Sequence, residues 1–142
     1  MTSPPPPSSS SSFNNTAKKK IMVVDDEEDI IFTIKSVLEQ NGFKVDSFSD
    51  PASVLENFVP DKYNIAILDI KMPHMNGFEL YEKIRGIDNK VKVIFLTALT
   101  ELRDYEGFRK NKVFPKWAER NFAQKPIENE DLIQRVNMMV KE

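Results

Sequence analysis

The chain contains no cysteine, which excludes disulfides, thiolate-ligated zinc, iron–sulfur clusters and thiol nucleophiles. It has one histidine, His74, so a His-rich metal site or a histidine relay is excluded as well. No apolar run approaches the roughly 20 residues that a membrane span needs. The N-terminus lacks the apolar segment of a secretory signal. A dominant charge is missing too: 20 Lys+Arg stand against 22 Asp+Glu, a net charge of −2. That balance argues against a nucleic-acid backbone or an anionic membrane as the main partner. What remains is 40% hydrophobic and 10% aromatic in 142 residues, enough to bury the core of one domain. The expectation is a cytoplasmic domain whose chemistry comes from carboxylates, hydroxyls and lysines.

The composition changes near residue 17. Residues 1–17 are mostly Pro, Ser, Thr and Asn, with prolines at Pro4 to Pro7 and serines at Ser8 to Ser12. Such a segment cannot bury enough apolar surface to offset chain entropy, and a disordered tail is expected. Residues 18–142 read as the folded domain. Within it, short apolar runs alternate with amphipathic segments. Ile21 to Val24, Ile65 to Leu68 and Val91 to Leu96 fit strands buried on both faces. Lys44 to Phe48 alternates, as an edge strand does, and Asn121 to Gln124 is a weak fifth strand.

Ile30, Ile31, Ile34, Val37 and Leu38 share one helical face, with Gly42 as the stop. Asp50-Pro51 opens a second helix, burying Ala52, Leu55, Phe58 and Val59. Leu80, Tyr81 and Ile84 mark a third, closing near Gly86. A fourth is expected around Glu101 to Asn111. The last starts at Asn129, with Leu132, Ile133, Val136, Met139 and Val140 as its stripe. This alternation predicts an α/β domain with a parallel sheet covered on both faces by helices. Ligands of such sheets bind beyond the carboxyl ends of the strands.

The ionisable residues fall at that edge. Asp25 and Asp26 follow the first strand, Asp69 the third, Thr97 the fourth and Lys125 the fifth. Converging carboxylates repel and raise one another's pKa unless a cation intervenes. Mg²⁺ suits oxygen ligands and phosphate oxygens. Asp25, Asp26 and Asp69 could hold it directly or through water, with a carbonyl from the loop after Asp69. Lys125 then supplies a point charge, and Thr97 a donor, for phosphoryl oxygens. Asp69 is the candidate nucleophile, because aspartyl phosphates are an established covalent strategy.

Four segments, in order, carry a family resemblance: Val23-Val24-Asp25-Asp26-Glu27; Leu68-Asp69-Ile70-Lys71-Met72-Pro73-His74-Met75-Asn76-Gly77; Leu96-Thr97-Ala98; and Lys125-Pro126. From about Lys19 to Val140 the chain resembles the receiver domain of two-component response regulators. The resemblance implies a flavodoxin-like, doubly wound sheet of five parallel strands in the order 2-1-3-4-5. It implies that a sensor histidine kinase or a histidine phosphotransfer protein donates a phosphoryl group to Asp69, the phosphoacceptor. Asp25 and Asp26 match the acidic Mg²⁺ pair, and Lys71 the position whose backbone carbonyl ligates the ion. Thr97 and Phe122 match the switch hydroxyl and aromatic, and Lys125 the site lysine, with a cis bond to Pro126. Phosphorylated Asp69 would draw Thr97 toward it, and Phe122 would turn inward, reshaping a surface read by an unidentified downstream protein. Such a domain is a signalling phosphoacceptor rather than an enzyme acting on a separate substrate.

The chain departs from the family in three ways. Thr97 and Lys125 lie further apart than usual, and the extra segment, Asn111 to Arg120, contains Trp117. Phe122 has no hydroxyl, so it can signal through packing alone. Lys71 adds a cation beside the site. No output domain follows the last helix, so a single-domain regulator, a relay intermediate or a sink for a kinase is expected. Two other classes stay open: a haloacid-dehalogenase-like phosphotransferase, against which Lys71 stands where a second aspartate is needed, and an unphosphorylated pseudo-receiver. His74 is expected to face solvent.

Overall fold

The computed structural model describes residues 19–98 and 121–141. The strands are β1 (Lys20–Val24), β2 (Lys44–Phe48), β3 (Ile65–Asp69), β4 (Lys92–Thr97) and β5 (Phe122–Gln124). They pair in parallel, as the alternation of segments predicts, in the order β2-β1-β3-β4-β5 that the resemblance implies. β3 is buried along its whole length, which is why its sequence is an unbroken apolar run. β2 lies at an edge, and only Val45 of it is buried.

Successive side chains of a strand point to opposite faces, so each central strand feeds two cores. Met22 and Val24 point to one core, and Ile21 and Val23 to the other. The first core is closed by α2 (Pro51–Asn57) through Val54 and by α3 (Gly77–Ile87) through Leu80, Tyr81 and Ile84. The second is closed by α1 (Glu28–Gln40) through Ile34 and Leu38, and by α4 (Asn129–Lys141) through Leu132 and Val136. Each such side chain, fully buried, contributes about 1.5–3 kcal/mol.

Local chemistry sets the helix ends. The Asp50 carboxylate accepts the Ser53 N–H at 2.9 Å, and Pro51 occupies the first turn of α2. α3 opens with a capping box. Asn76 accepts the Glu79 N–H at 2.8 Å, and Glu79 accepts the Asn76 N–H at 3.0 Å. α1 ends ahead of Gly42, whose φ of +92° turns the chain into β2. Lys92 Nζ donates to the Met139 carbonyl at 2.7 Å, a cation at the negative end of α4.

One expectation is corrected. Ala52 is exposed and Val59 is half exposed, whereas Pro51 and Val54 form the buried face of α2. The helix ends at Asn57 and Phe58 is extended, which carries Val59 off that face. α3 closes near Gly86, as expected, with Ile87 as its last residue. A Cβ on Gly86 would meet nothing within 4 Å. Gly86→Ala should therefore stabilise the fold by about 0.5–1 kcal/mol, read as a raised urea midpoint at constant slope. The expected helix around Glu101 to Asn111, the Trp117 segment and the tail of residues 1–17 lie outside the described residues.

Candidate functional site

Strand register brings the ionisable residues together. Val24 pairs with Leu68, so Asp25 and Asp69 leave neighbouring strands side by side. Asp69 pairs with Leu96, one residue before Thr97, and Thr97 pairs with Gln124, one residue before Lys125. The Lys125 N–H donates to the Thr97 carbonyl at 2.8 Å, fixing the chain just past β5. The Lys125-Pro126 bond is cis, as the resemblance implies.

Lys125 Nζ lies 3.0 Å from Asp25 Oδ2, 3.1 Å from Asp69 Oδ1 and 3.2 Å from Glu27 Oε1. The two aspartates are almost completely buried. Asp25 Oδ1 accepts the Glu27 N–H at 2.9 Å, which starts the turn into α1. Burial is the largest influence on Asp25 and pushes its pKa above the usual 3.8, against the Glu27 N–H and Lys125. Burial alone would lower the pKa of Lys125. Its close contact with Asp25 and the charges of Asp69 and Asp25 outweigh this and raise it above the usual 10.5.

The signs of the two pH dependences follow. The stability contributed by Lys125 is complete below pH 10.5 and is lost as pH rises through the raised value. For Asp25, the burial penalty is present at neutral pH and is relieved as pH falls through its raised value toward 3.8.

Asp25 and Asp26 offer oxygens that fit a hard cation, with Glu27 beside them and turned to Lys125. Carboxylate oxygens of Asp25, Asp26 and Glu27 lie within 4.8 Å of one another. Buried Asp25 Oδ2 has the Lys125 charge contact but no directed hydrogen bond. Asp25, Asp69 and Glu27 contact the Lys125 ammonium and Asp26 lies beside Asp25 and Glu27, so negative charge is in excess in this cluster and suits further positive charge. Asp69 is tied to this group through Lys125 and is not part of the tight acidic trio itself.

The other expected residues take up the surrounding positions. Thr97 is buried, and its hydroxyl donates to the Ala98 carbonyl at 3.2 Å. Phe122 is half buried, its ring 6.2 Å from both Phe95 and Phe78. Its carbonyl accepts from Arg135 Nη1 at 3.1 Å, which links β5 to α4. Lys71 is exposed in the loop after β3, and so is His74, at a φ of +74°. In the same loop the Gly77 N–H donates to the Ile70 carbonyl at 2.8 Å, and a Cβ on Gly77 would fall 2.4 Å from the Asp69 carbonyl oxygen.

Three contributors had no role in the sequence reading. Glu27 was legible only as one more acid in a run. Gly77 appeared as part of a motif, with no hint that its missing side chain makes room for the Asp69 backbone. Phe78, whose ring stands 6.2 Å from Phe122, was not singled out.

A doubly wound sheet with a buried Asp–Lys–Asp cluster at its carboxyl edge is an arrangement suited to a cation and an anionic group. The chain belongs to the response regulator receiver domain family, whose model matches residues 21–137. The receiver protein CpdR of Brucella abortus is 29% identical over 112 residues, which cover 77% of this chain and 85% of that protein. The transcriptional regulatory protein RprY of Bacteroides fragilis is 27% identical over 109 residues, 76% of this chain and 43% of RprY. The chain therefore spans less than half the length of that relative. The response regulator TrrA of Thermotoga maritima, solved in complex with Mg²⁺–BeF, is 30% identical with a TM-score of 0.68, covering 85% of this chain and 98% of that one. A receiver domain from Clostridium thermocellum is 28% identical with a TM-score of 0.68, covering 87% and 94%. The chain is thus a phosphoacceptor receiver, a signalling domain. No helix among the described residues is long and apolar enough to cross a membrane.

Proposed function

We propose that Asp69 is the phosphoacceptor, that Asp25 and Asp26 hold Mg²⁺ with Asp69 and the Lys71 carbonyl, and that Lys125 and Thr97 receive the phosphoryl oxygens. The reading rests on one observation: Lys125 Nζ bridges buried Asp25 and Asp69 at 3.0 and 3.1 Å at the carboxyl edge of the sheet. The ion would neutralise charge on the phosphoryl group during transfer. The donor is a histidine kinase or a histidine phosphotransfer protein. A carboxylate oxygen of Asp69 attacks phosphorus, a P–O bond forms, the donor's P–N bond breaks, and the imidazole nitrogen keeps the electron pair.

Lys125 stays protonated throughout and keeps its charge beside the new acyl phosphate. The Thr97 hydroxyl can rotate from the Ala98 carbonyl toward the added oxygens. That movement vacates space on the side of Phe122, whose ring then repacks against Phe78 and Phe95, and β5 carries the change to α4 through Arg135. The signal leaves by this surface, to a downstream protein, with no separate substrate turned over. In this reading the domain occupies residues 18–142 and works in the cytoplasm.

Incubation with labelled acetyl phosphate tests the assignment. The wild-type chain should take up label only with Mg²⁺ present, and Asp69→Asn should take up none. Equal uptake by Asp69→Asn would overturn the assignment of Asp69, and multiple turnovers of donor would make the chain an enzyme.

A further inference from the structure

We propose that Glu27 is a positioning residue that holds Lys125 in the resting state and must release it when Asp69 is phosphorylated. The inference rests on the reading of Asp69 as phosphoacceptor. A lysine ammonium has three protons to donate. Among the described residues, three carboxylates stand within 3.0–3.2 Å of Lys125 Nζ: Asp25, Asp69 and Glu27. A phosphoryl group on Asp69 brings new anionic oxygens to this ammonium, so one existing partner must yield.

Burial decides which one. The Asp25 side chain is fully buried, so water cannot replace Lys125 there. Asp69 carries the phosphoryl group itself. Glu27 is 62% exposed, so water replaces Lys125 there at small cost. Its backbone cannot drift away in the exchange, because its N–H is held by Asp25 Oδ1 at 2.9 Å. Only the side chain has to swing. Glu27 therefore competes with the incoming phosphoryl oxygens for a single cation, and the strength of this competition sets how readily the site accepts them.

The test uses the full chain and three variants. Glu27→Gln keeps shape and reach but removes the competing charge. Glu27→Asp keeps the charge on a shorter arm. Glu28→Gln removes the same charge one residue further on, from an exposed position in the first turn of α1. The rate of phosphoryl uptake from acetyl phosphate is measured at saturating Mg²⁺. In parallel, beryllofluoride affinity is read by fluorine NMR and Mg²⁺ affinity by calorimetry.

Exposed ion pairs have modest strength, so Glu27→Gln should raise both the uptake rate and beryllofluoride affinity about two- to fivefold. Mg²⁺ affinity should stay within about twofold of wild type, Glu27→Asp should fall between wild type and Glu27→Gln, and Glu28→Gln should change uptake by less than half as much as Glu27→Gln. Slower uptake, or markedly weaker Mg²⁺ binding, in Glu27→Gln would overturn the proposal and make Glu27 an aid to the cation instead. An equal acceleration in Glu28→Gln would overturn it in favour of a general field effect. A wild-type chain that takes up no label would instead defeat the phosphoacceptor reading, with Glu27 then judged by its effect on beryllofluoride affinity alone.

Discussion

Lys125→Met should lower the stability of the protein by about 3–5 kcal/mol at pH 7, the usual effect of removing one partner from a buried ion pair. The lysine side chain is 10% exposed, and those of Asp25 and Asp69 are 0% and 2%. Without Lys125, two desolvated carboxylates would face each other with no counter-ion. The Asp25 carboxyl is already pushed above its usual value by burial, and loss of the ammonium pushes it further. Folding of the variant would then favour proton uptake, so its deficit should narrow as pH falls from about 7 to about 5. Mg²⁺ should narrow it as well, because a ligand that binds only the folded state stabilises that state. Urea unfolding at both pH values, with and without Mg²⁺, measures all of this. A deficit that is the same in every condition would mean that Lys125 acts by packing rather than by charge.

Gly77→Ala should damage the site from the backbone side. The added Cβ would stand 2.4 Å from the Asp69 carbonyl oxygen, 3.2 Å from the Asp69 carbonyl carbon and 3.2 Å from the Ile70 Cα. All three are main-chain atoms at the end of a buried strand, so no flexible side chain can move aside. Overpacking of this kind typically costs about 1–3 kcal/mol. The larger effect is geometric. Relief of the clash requires the loop after β3 to move away from Asp69, and a displacement near 1 Å can reduce a positioned reaction about a hundredfold. Phosphoryl uptake should fall by about that factor while a cooperative thermal transition survives. Gly86→Ala, in the same helix but in open space, separates this effect from any general cost of replacing glycine in α3.

Most of the fold was legible because the sheet is parallel and covered on both sides. β1, β3 and β4 then read as continuous apolar runs, with turn residues and helical stripes between them. β2 was recognisable from its alternation, since an edge strand keeps one side partly wet. The buried face of α2 was misread because seven residues define a helical face poorly, and because the chain leaves the helix just where Leu55 and Phe58 suggested that it continued. The end of α3 near Gly86 was legible, and the helix closes at Ile87.

The site was legible as a set of residues but not as a network. Spacing placed Asp25, Asp69, Thr97 and Lys125 at strand ends, and parallel register then brings them together. Nothing in the sequence distinguishes Glu27, which reaches Lys125, from Asp26, which is exposed beside it. That difference depends on how the turn after β1 is wound around Asp25 Oδ1. The steric role of Gly77 is equally invisible, because it exists only once the loop has folded back on Asp69.

The central claim is that Asp69 forms an acyl phosphate beside Asp25 and Lys125. The most direct test treats the chain with acetyl phosphate and Mg²⁺, reduces it with borohydride, and maps the product by tandem mass spectrometry. Borohydride converts an aspartyl phosphate to homoserine, which marks the position permanently. The account predicts homoserine at position 69 in wild-type protein, dependent on Mg²⁺ and with no other aspartate converted. Homoserine at Asp25 or Asp26, or none anywhere in a folded and Mg²⁺-saturated chain, would contradict it.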